Sequence, residues 1–186
     1  MSEIYKLEVR EPRAVLARWA LVPIRLVIGY GFLVHGLAKL SKGPEHFVDI
    51  VQAIGVPFPW LMAWLTILVE LICGPLMIAG ALVPLISVPM LAVLVVALVS
   101  VHYQFGFTSI KLMAITPEGP KFGPPGMETD LLYIAGIAGL LMGGPGTLAI
   151  DNWLSRRLRR SGRSRPIRDS TREVIGYDWG NRPEAK

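Results

Sequence analysis

The chain has 186 residues, of which 52% are hydrophobic and 18% are charged, and its formal net charge is +5. The mean hydropathy of +0.48 is typical of an integral membrane protein and argues against a soluble domain. The single cysteine, Cys73, excludes an internal disulfide and a CxxC pair, so intrinsic thiol–disulfide chemistry is not expected.

Four apolar stretches are long enough to cross a bilayer, which takes about 20 residues per helix. They predict an all-α integral membrane four-helix bundle, with spans at residues 19–40, 59–81, 83–103 and 129–150. The Gly-Gly-Pro-Gly run at residues 143–146 can end the fourth span early. The chain is thus divided into a cytoplasmic N-terminal segment (1–18), a four-span membrane domain (19–150) and a basic cytoplasmic tail (151–186).

The connection between the third and fourth predicted spans, residues 104–128, is the longest in the chain. It contains four prolines among several glycines. A loop of this length and stiffness predicts an outer segment that is either functional or disordered.

The tail from Asp151 onward carries ten of the nineteen Lys and Arg residues, including the run at 156–168. By the positive-inside rule this tail is cytoplasmic, and four spans return the N-terminus to the same side. Four apolar residues around its start recur at helical spacing, namely Ile150, Trp153, Leu154 and Leu158. They predict a short helix on the cytoplasmic membrane surface. We expect the arginines to contact anionic lipid rather than nucleic acid.

Three basic side chains lie within the first predicted span, where a charge costs about 2.5–3.5 kcal/mol and normally faces a partner or a wet cavity. At about 100° per residue, Arg25, His35 and Lys39 share one helical face. Glu70 is the acid of the second predicted span, and the helical rise places it between Arg25 and His35 in depth. We therefore predict an Arg25–Glu70 ion pair. His35 would approach it through water, and Lys39 would lie near the outer headgroups.

Each of these residues also has a purely structural interpretation. Arg25 and Glu70 can form an ion pair that only fixes helix register. His35 can be a packing residue, and Lys39 can snorkel to the interface. His35 and His102 lie near the outer ends of their helices, but two histidines without a carboxylate or cysteine cluster are a weak metal signal. No metal or haem is therefore predicted.

Across the four predicted spans the chain carries an ordered set of charged residues and glycines. The set comprises Arg25, Gly29, Gly36, Lys39, Glu70, Gly74, Gly80, Gly126, Glu128, Gly144, Gly146 and Asp151. Over about residues 20–151 the pattern resembles the DoxX family, which includes DoxD, the quinone-reacting subunit of thiosulfate:quinone oxidoreductase. The resemblance implies a four-helix protein of a bacterial-type inner (plasma) membrane. It also implies a link to quinone-coupled oxidation of sulfur compounds or to oxidative-stress protection.

Together, the resemblance and the buried charges predict a membrane subunit of a quinone-linked redox complex. Arg25, His35, Lys39 and Glu70 are the predicted residues that bind the membrane quinone. Arg25 would orient Glu70 and steady negative charge on the reduced quinone, while Glu70 and His35 would pass protons toward the outer face. Electrons would come from a redox partner protein or from a substrate, and a homo-oligomer is compatible with the pattern. The alternative is a non-catalytic scaffold or a small-molecule transporter, and the sequence leaves open whether the chain is an enzyme.

Overall fold

The computed structural model describes residues 12–162. In chain order the elements are α1 (Pro12–Ser41), α2 (Pro44–Ala53), α3 (Pro59–Ala79), α4 (Val83–Ala97), β1 (Leu112–Thr116), β2 (Gly119–Phe122), α5 (Glu128–Gly143) and α6 (Ile150–Gly162). A π-helical turn (Leu98–His102) and a 3-10 turn (Tyr103–Phe105) continue α4. The predictions for residues 1–11 and 163–186 lie outside the described residues.

Three helices in the described range are long and apolar enough to cross a membrane. They are Leu16–Ser41 within α1, Pro59–Ala79, which is α3, and Val83–Phe105, which is α4 with its two terminal turns. These helices agree with the first three predicted spans. The chain is therefore a multi-pass helical protein whose long helices have the length and the apolar composition needed to cross a membrane.

The helix α5 is shorter than the predicted fourth span, because it has 16 residues and ends at Gly143. Its rise of about 24 Å is less than the roughly 30 Å of a bilayer's hydrocarbon core. Gly144 follows with a φ of +81°, which glycine adopts readily, so the Gly-Gly-Pro-Gly run ends the helix early. Residues 144–149 form a connection to α6 instead of continuing the span.

The helices α1 and α4 each pack against both α3 and α5. Their shared core consists of buried apolar side chains: Ile28, Phe32, Cys73, Met77, Val83, Ile86, Met90, Leu94, Ile137 and Leu140. On the opposite faces large apolar side chains are exposed, for example Val88 at 68% and Val99 at 66%. Helices that are apolar on all sides are expected where lipid surrounds them.

Successive long helices run antiparallel between two ends of the molecule. The α3–α4 connection at residues 80–82 defines the end that we call the turn end, and the β1–β2 hairpin defines the hairpin end. The start of α5 is tied to the segment after α4, where the N–H of Glu128 donates to the carbonyl oxygen of Phe107 at 2.9 Å. At the other end of α5, Gly143 lies beside Leu21 of α1. The helix α5 thus connects the hairpin end with the turn end.

The helices α1 and α3 approach each other most closely at two glycines, Gly29 and Gly74. A Cβ atom on Gly74 would lie 2.9 Å from both the carbonyl oxygen of Gly29 and the backbone nitrogen of Leu33. Farther along α1, a Cβ on Gly36 would lie 3.0 Å from the Cβ of Glu70. Small residues allow such backbone contact in membrane helices, and here they fix the register of α1 against α3.

The strands β1 and β2 form an antiparallel hairpin, so the prediction of an all-α chain is wrong for this segment. Thr116 pairs with Gly119 across a two-residue turn, and Gly119 has a φ of +122°. Prolines and glycines conceal the strand pattern in the sequence. They are tolerated because a two-stranded sheet leaves one edge of each strand without a backbone partner. Part of the long loop is therefore an ordered sheet.

Candidate functional site

The carboxylate of Glu70 forms an ion pair with Lys39 between α1 and α3. Lys39 Nζ lies 2.5 Å from Glu70 Oε1, and Glu70 is only 5% exposed. Phe47 of α2 covers the ammonium group, with its ring centroid 4.4 Å from Nζ. The ion pair thus occupies a partly enclosed site toward the hairpin end of α1 and α3.

The direction of helical side chains explains why Lys39 reaches Glu70. Helical side chains lean toward the N-terminus of their own helix, so Lys39 leans back over Gly36, which has no side chain to obstruct it. Glu70 lies opposite Gly36. Because α3 is antiparallel to α1, the glutamate leans toward the hairpin end and therefore toward the lysine.

The second carboxylate oxygen of Glu70 has no protein partner. Oε2 is buried and makes no hydrogen bond within the described residues. Buried polar atoms are nearly always hydrogen-bonded, so an unpaired one calls for an explanation such as a proton or a ligand. His35 lies within electrostatic range of Glu70, and its side chain is exposed on the outside of α1. The structure thus pairs two of the four predicted site residues, Lys39 and Glu70, and leaves His35 within electrostatic range of them.

Arg25, the fourth predicted site residue, lies too far from Glu70 for the predicted ion pair. Gly36, the residue opposite Glu70, follows Arg25 by eleven positions, which is a rise of about 16 Å along α1. Arg25 Nη1 instead donates a 2.6 Å hydrogen bond to the carbonyl oxygen of Pro145, and the arginine is 2% exposed. The depth comparison from sequence failed because the glycine contacts set a register that moves the glutamate toward the hairpin end.

Arg25 belongs instead to a buried group at the turn end. The carboxylate of Asp151 accepts hydrogen bonds from the N–H groups of Leu82, at 2.7 Å, and Val83, at 3.0 Å, and so caps the N-terminus of α4. The backbone N–H of Asp151 donates to the carbonyl oxygen of Gly80 at 3.1 Å. Asp151 is also the acid whose charge acts on Arg25. This arrangement joins helix ends, which favours a structural role for Arg25.

A second acid–base pair, which the sequence analysis missed, lies at the hairpin end. His102 Nδ1 lies 2.5 Å from Asp130 Oδ2, and Asp130 is 6% exposed. The π-helical turn Leu98–His102 ends at this histidine, and such turns frequently occur at functional sites. Asp130 could have been recognised as an acid at the start of the predicted fourth span, where the N-terminus of α5 also favours a negative charge.

The variant His102→Ala is expected to lower the free energy of unfolding by about 1–3 kcal/mol, because it leaves the Asp130 carboxylate buried without its partner. Titration with a denaturing detergent in mixed micelles would measure this loss. His46→Ala is the matched control, since His46 is exposed on α2. Equal losses in the two variants would contradict a stabilising His102–Asp130 contact.

The fold and these buried charges define a class: a multi-pass helical membrane protein with charged side chains buried between its helices. The family model described as DoxX matches residues 20–103. The chain is also 32% identical over 154 residues to an uncharacterized membrane protein of Mycobacterium tuberculosis (strain ATCC 25618 / H37Rv), covering 77% of this chain and 86% of that protein. The chain belongs to the DoxX family, as its resemblance predicted. No solved structure matches it.

Proposed function

We propose that this DoxX protein is a membrane subunit of a quinone-linked redox complex that acts in sulfur-compound oxidation or in oxidative-stress protection. The observation that carries the proposal is the Glu70 carboxylate, with one oxygen held by Lys39 and the other buried without a partner. A buried titratable group within a membrane-crossing helix is a candidate functional residue, and here Lys39 is its partner.

The residues at this site fit a quinone headgroup. A quinone presents carbonyl oxygens that accept hydrogen bonds, and the Lys39 ammonium has three donors, of which Glu70 Oε1 takes one. The unpartnered Glu70 Oε2 can exchange a proton with a hydroxyl of the reduced form. Phe47 adds an aromatic wall. The site lies between two membrane-crossing helices, so a lipid-soluble ligand can approach from the bilayer.

The roles of the side chains follow from their positions. A bound quinone would supply two-electron chemistry, with electrons from a partner protein or a substrate. Lys39 steadies negative charge and keeps Glu70 in place, and Glu70 Oε2 accepts or returns a proton. Reduction of a quinone consumes two protons, so His35, which is exposed and within electrostatic range of Glu70, relays protons one at a time from the surface to Glu70. Arg25 takes no part in this scheme.

The proposal includes α5 as a fourth membrane-crossing helix in a four-helix bundle. It is apolar, it packs on α1 and α4, and it connects the hairpin end with the turn end. Four crossings would put both termini on one side, and by the positive-inside rule the basic run at residues 156–168 supports the cytoplasmic side of a bacterial-type inner membrane. On the same grounds we place the arginine-rich tail against anionic lipid.

Glu70→Gln is expected to weaken quinone binding at least about tenfold, which corresponds to roughly 1.4 kcal/mol. The substitution keeps the shape of the side chain but removes the negative charge that holds the Lys39 ammonium in place as the donor to the quinone. It also removes proton exchange at this position at neutral pH. Quinone retained by purified protein in nanodiscs, measured by extraction and by equilibrium titration, would show the loss. Glu45→Gln is the matched control, because Glu45 is exposed on α2. Unchanged binding in Glu70→Gln would refute the proposed site.

A charge swap separates this function from a scaffold that uses the ion pair only for assembly. The double variant Lys39→Glu, Glu70→Lys can re-form an ion pair and should recover most of the stability that either single variant loses. Quinone binding should not recover, because the donor and the proton acceptor have exchanged positions. Recovery of quinone binding together with stability would favour a purely structural role for the pair.

A further inference from the structure

The β1–β2 hairpin carries large apolar side chains that the described chain leaves uncovered. On β1, Ile115 is 81% exposed and Leu112 is 56% exposed, and on β2 Phe122 is 60% exposed. A two-stranded sheet has no second layer in which to bury them. Contiguous exposed apolar surface of this kind marks a contact with a membrane or with another protein.

These apolar side chains share one face of the hairpin. Leu112 pairs with Phe122, and Ile115 pairs with Pro120, so each pair projects to a common side. Pro120 and Phe122 are two residues apart and therefore point the same way. A register shift between Leu112 and Ala114 brings Leu112 onto the face of Ile115 despite their odd spacing.

The opposite face of the hairpin is more polar. It carries the pair of Ala114 with Lys121 and the pair of Thr116 with Gly119. The paired positions thus form an amphipathic hairpin, with an aliphatic and aromatic face on one side and a lysine on the other, and Met113, which is 70% exposed, is the unpaired residue at the register shift. This pattern is typical of segments that lie in a membrane interface, where the ammonium group reaches the headgroups.

The base of the hairpin is fixed at the end of a membrane-crossing helix. The span that contains α4 ends at Phe105. Lys111, just before β1, donates to the carbonyl oxygen of Phe105 and lies 6.0 Å from the centroid of its ring. After β2, the carboxylate of Glu128 at the start of α5 accepts a 3.0 Å hydrogen bond from the N–H of Ser109. The strands therefore begin and end at helix ends, and the five residues of β1 extend only about 17 Å.

We propose that the hairpin lies in the headgroup region of the adjacent leaflet, with Leu112, Ile115 and Phe122 toward the acyl chains and Lys121 toward water. Lipid is the occupant because the base of the hairpin is held at the end of a membrane-crossing helix, where Lys111 is hydrogen-bonded to Phe105. The outer edges of the two strands carry backbone groups without sheet partners, which excludes the hydrocarbon core itself. The headgroup region provides both acyl chains for the apolar face and hydrogen-bond partners for the strand edges.

Spin labels on the two faces test this placement. Cys73 is the only cysteine of the chain and is buried, so labels are introduced at Ile115→Cys and, as the matched control, Lys121→Cys in a Cys73→Ala background. The protein is studied in nanodiscs of phosphatidylethanolamine and phosphatidylglycerol. Collision with oxygen, which concentrates in lipid, is compared with collision with a water-soluble nickel chelate.

The expected result is a several-fold higher oxygen-to-nickel ratio at position 115 than at position 121. Phe122→Cys lies on the same face as Ile115 and should repeat the result, which guards against a local defect of one variant. Equal ratios at the two faces, or preferential nickel access at position 115, would overturn the proposal. Protection of position 115 in native membranes but not in nanodiscs would also overturn it, because a protein rather than lipid would then cover the face.

Discussion

Gly74→Val is expected to lower the free energy of unfolding by about 3 kcal/mol, the upper end for overpacking a well-packed site. The Cβ of the valine would lie 2.9 Å from the carbonyl oxygen of Gly29 and 2.9 Å from the backbone nitrogen of Leu33. Both are backbone atoms of α1, so no side chain can rotate away and the helices must separate. That separation would also pull Lys39 away from Glu70. Titration with a denaturing detergent measures the effect on stability.

Gly139→Val is the matched control for this prediction. Gly139 is also a glycine within an apolar helix, but a Cβ built on it would meet nothing within 4 Å. The control should stay within about 0.5 kcal/mol of the wild type, because valine costs a helix no more than glycine does. Similar losses in the two variants would show that the Gly29–Gly74 contact does not hold α1 and α3 together.

Asp151→Ala is expected to cost about 3 kcal/mol, because it removes two contributions at once. The cap on the N-terminus of α4 is lost, which typically costs about 0.5–2 kcal/mol. The buried Arg25 also loses the negative charge that acts on it, and an uncompensated buried charge is strongly destabilising. Unfolding measured as above gives the loss, with Asp49→Ala on the exposed side of α2 as the control.

A double-variant cycle isolates the coupling between the two charged residues. Arg25→Met removes the buried charge, so in that background Asp151→Ala should cost only the helix cap. The double variant should therefore lose less stability than the sum of the two single variants, by about 1 kcal/mol or more. Additive losses would mean that Asp151 acts on α4 alone and that Arg25 depends on its hydrogen bond to Pro145.

The separation of Arg25 from Glu70 changes the proposed chemistry as well as the packing. A site built on arginine would hold a permanent cation, whereas Lys39 is a compact ammonium group on a flexible chain. The cation–carboxylate pair of Lys39 and Glu70 leaves Oε2 available, which a bidentate arginine would occupy. The proposed proton exchange at Glu70 therefore depends on the lysine being its partner.

Several features of this protein could be predicted from local sequence. The lengths of the apolar runs predicted four spans, and the first three agree with helices long and apolar enough to cross a membrane. A span must satisfy its own backbone and face lipid, and both requirements are local. The run at residues 143–146 indicated an early end to α5, since glycine and proline act on the backbone where they stand. Family membership also followed from an ordered set of residues that can be read without coordinates.

The partners of the buried charges could not be predicted in this way. The pairing of Lys39 with Glu70 depends on helix register, which the contact of Gly29 with Gly74 sets to within one turn. Counting rise from assumed helix ends cannot reach that accuracy, because helix ends shift by several residues and each residue moves a side chain by about 1.5 Å. The pairing of His102 with Asp130 joins segments 28 residues apart in the chain and was missed for the same reason.

The sequence by itself determined that this is a membrane protein of the DoxX family, where its first three long apolar helices lie, and that charged side chains lie within those helices. Only the tertiary structure decided which charges meet, and it divided the predicted site into a Lys39–Glu70 pair and a separate Arg25 group. It also showed that part of the predicted loop, which is rich in proline and glycine, is an amphipathic hairpin. The physical reason is that composition and periodicity act within one segment, whereas ion pairs and strand register are properties of two segments brought together by packing.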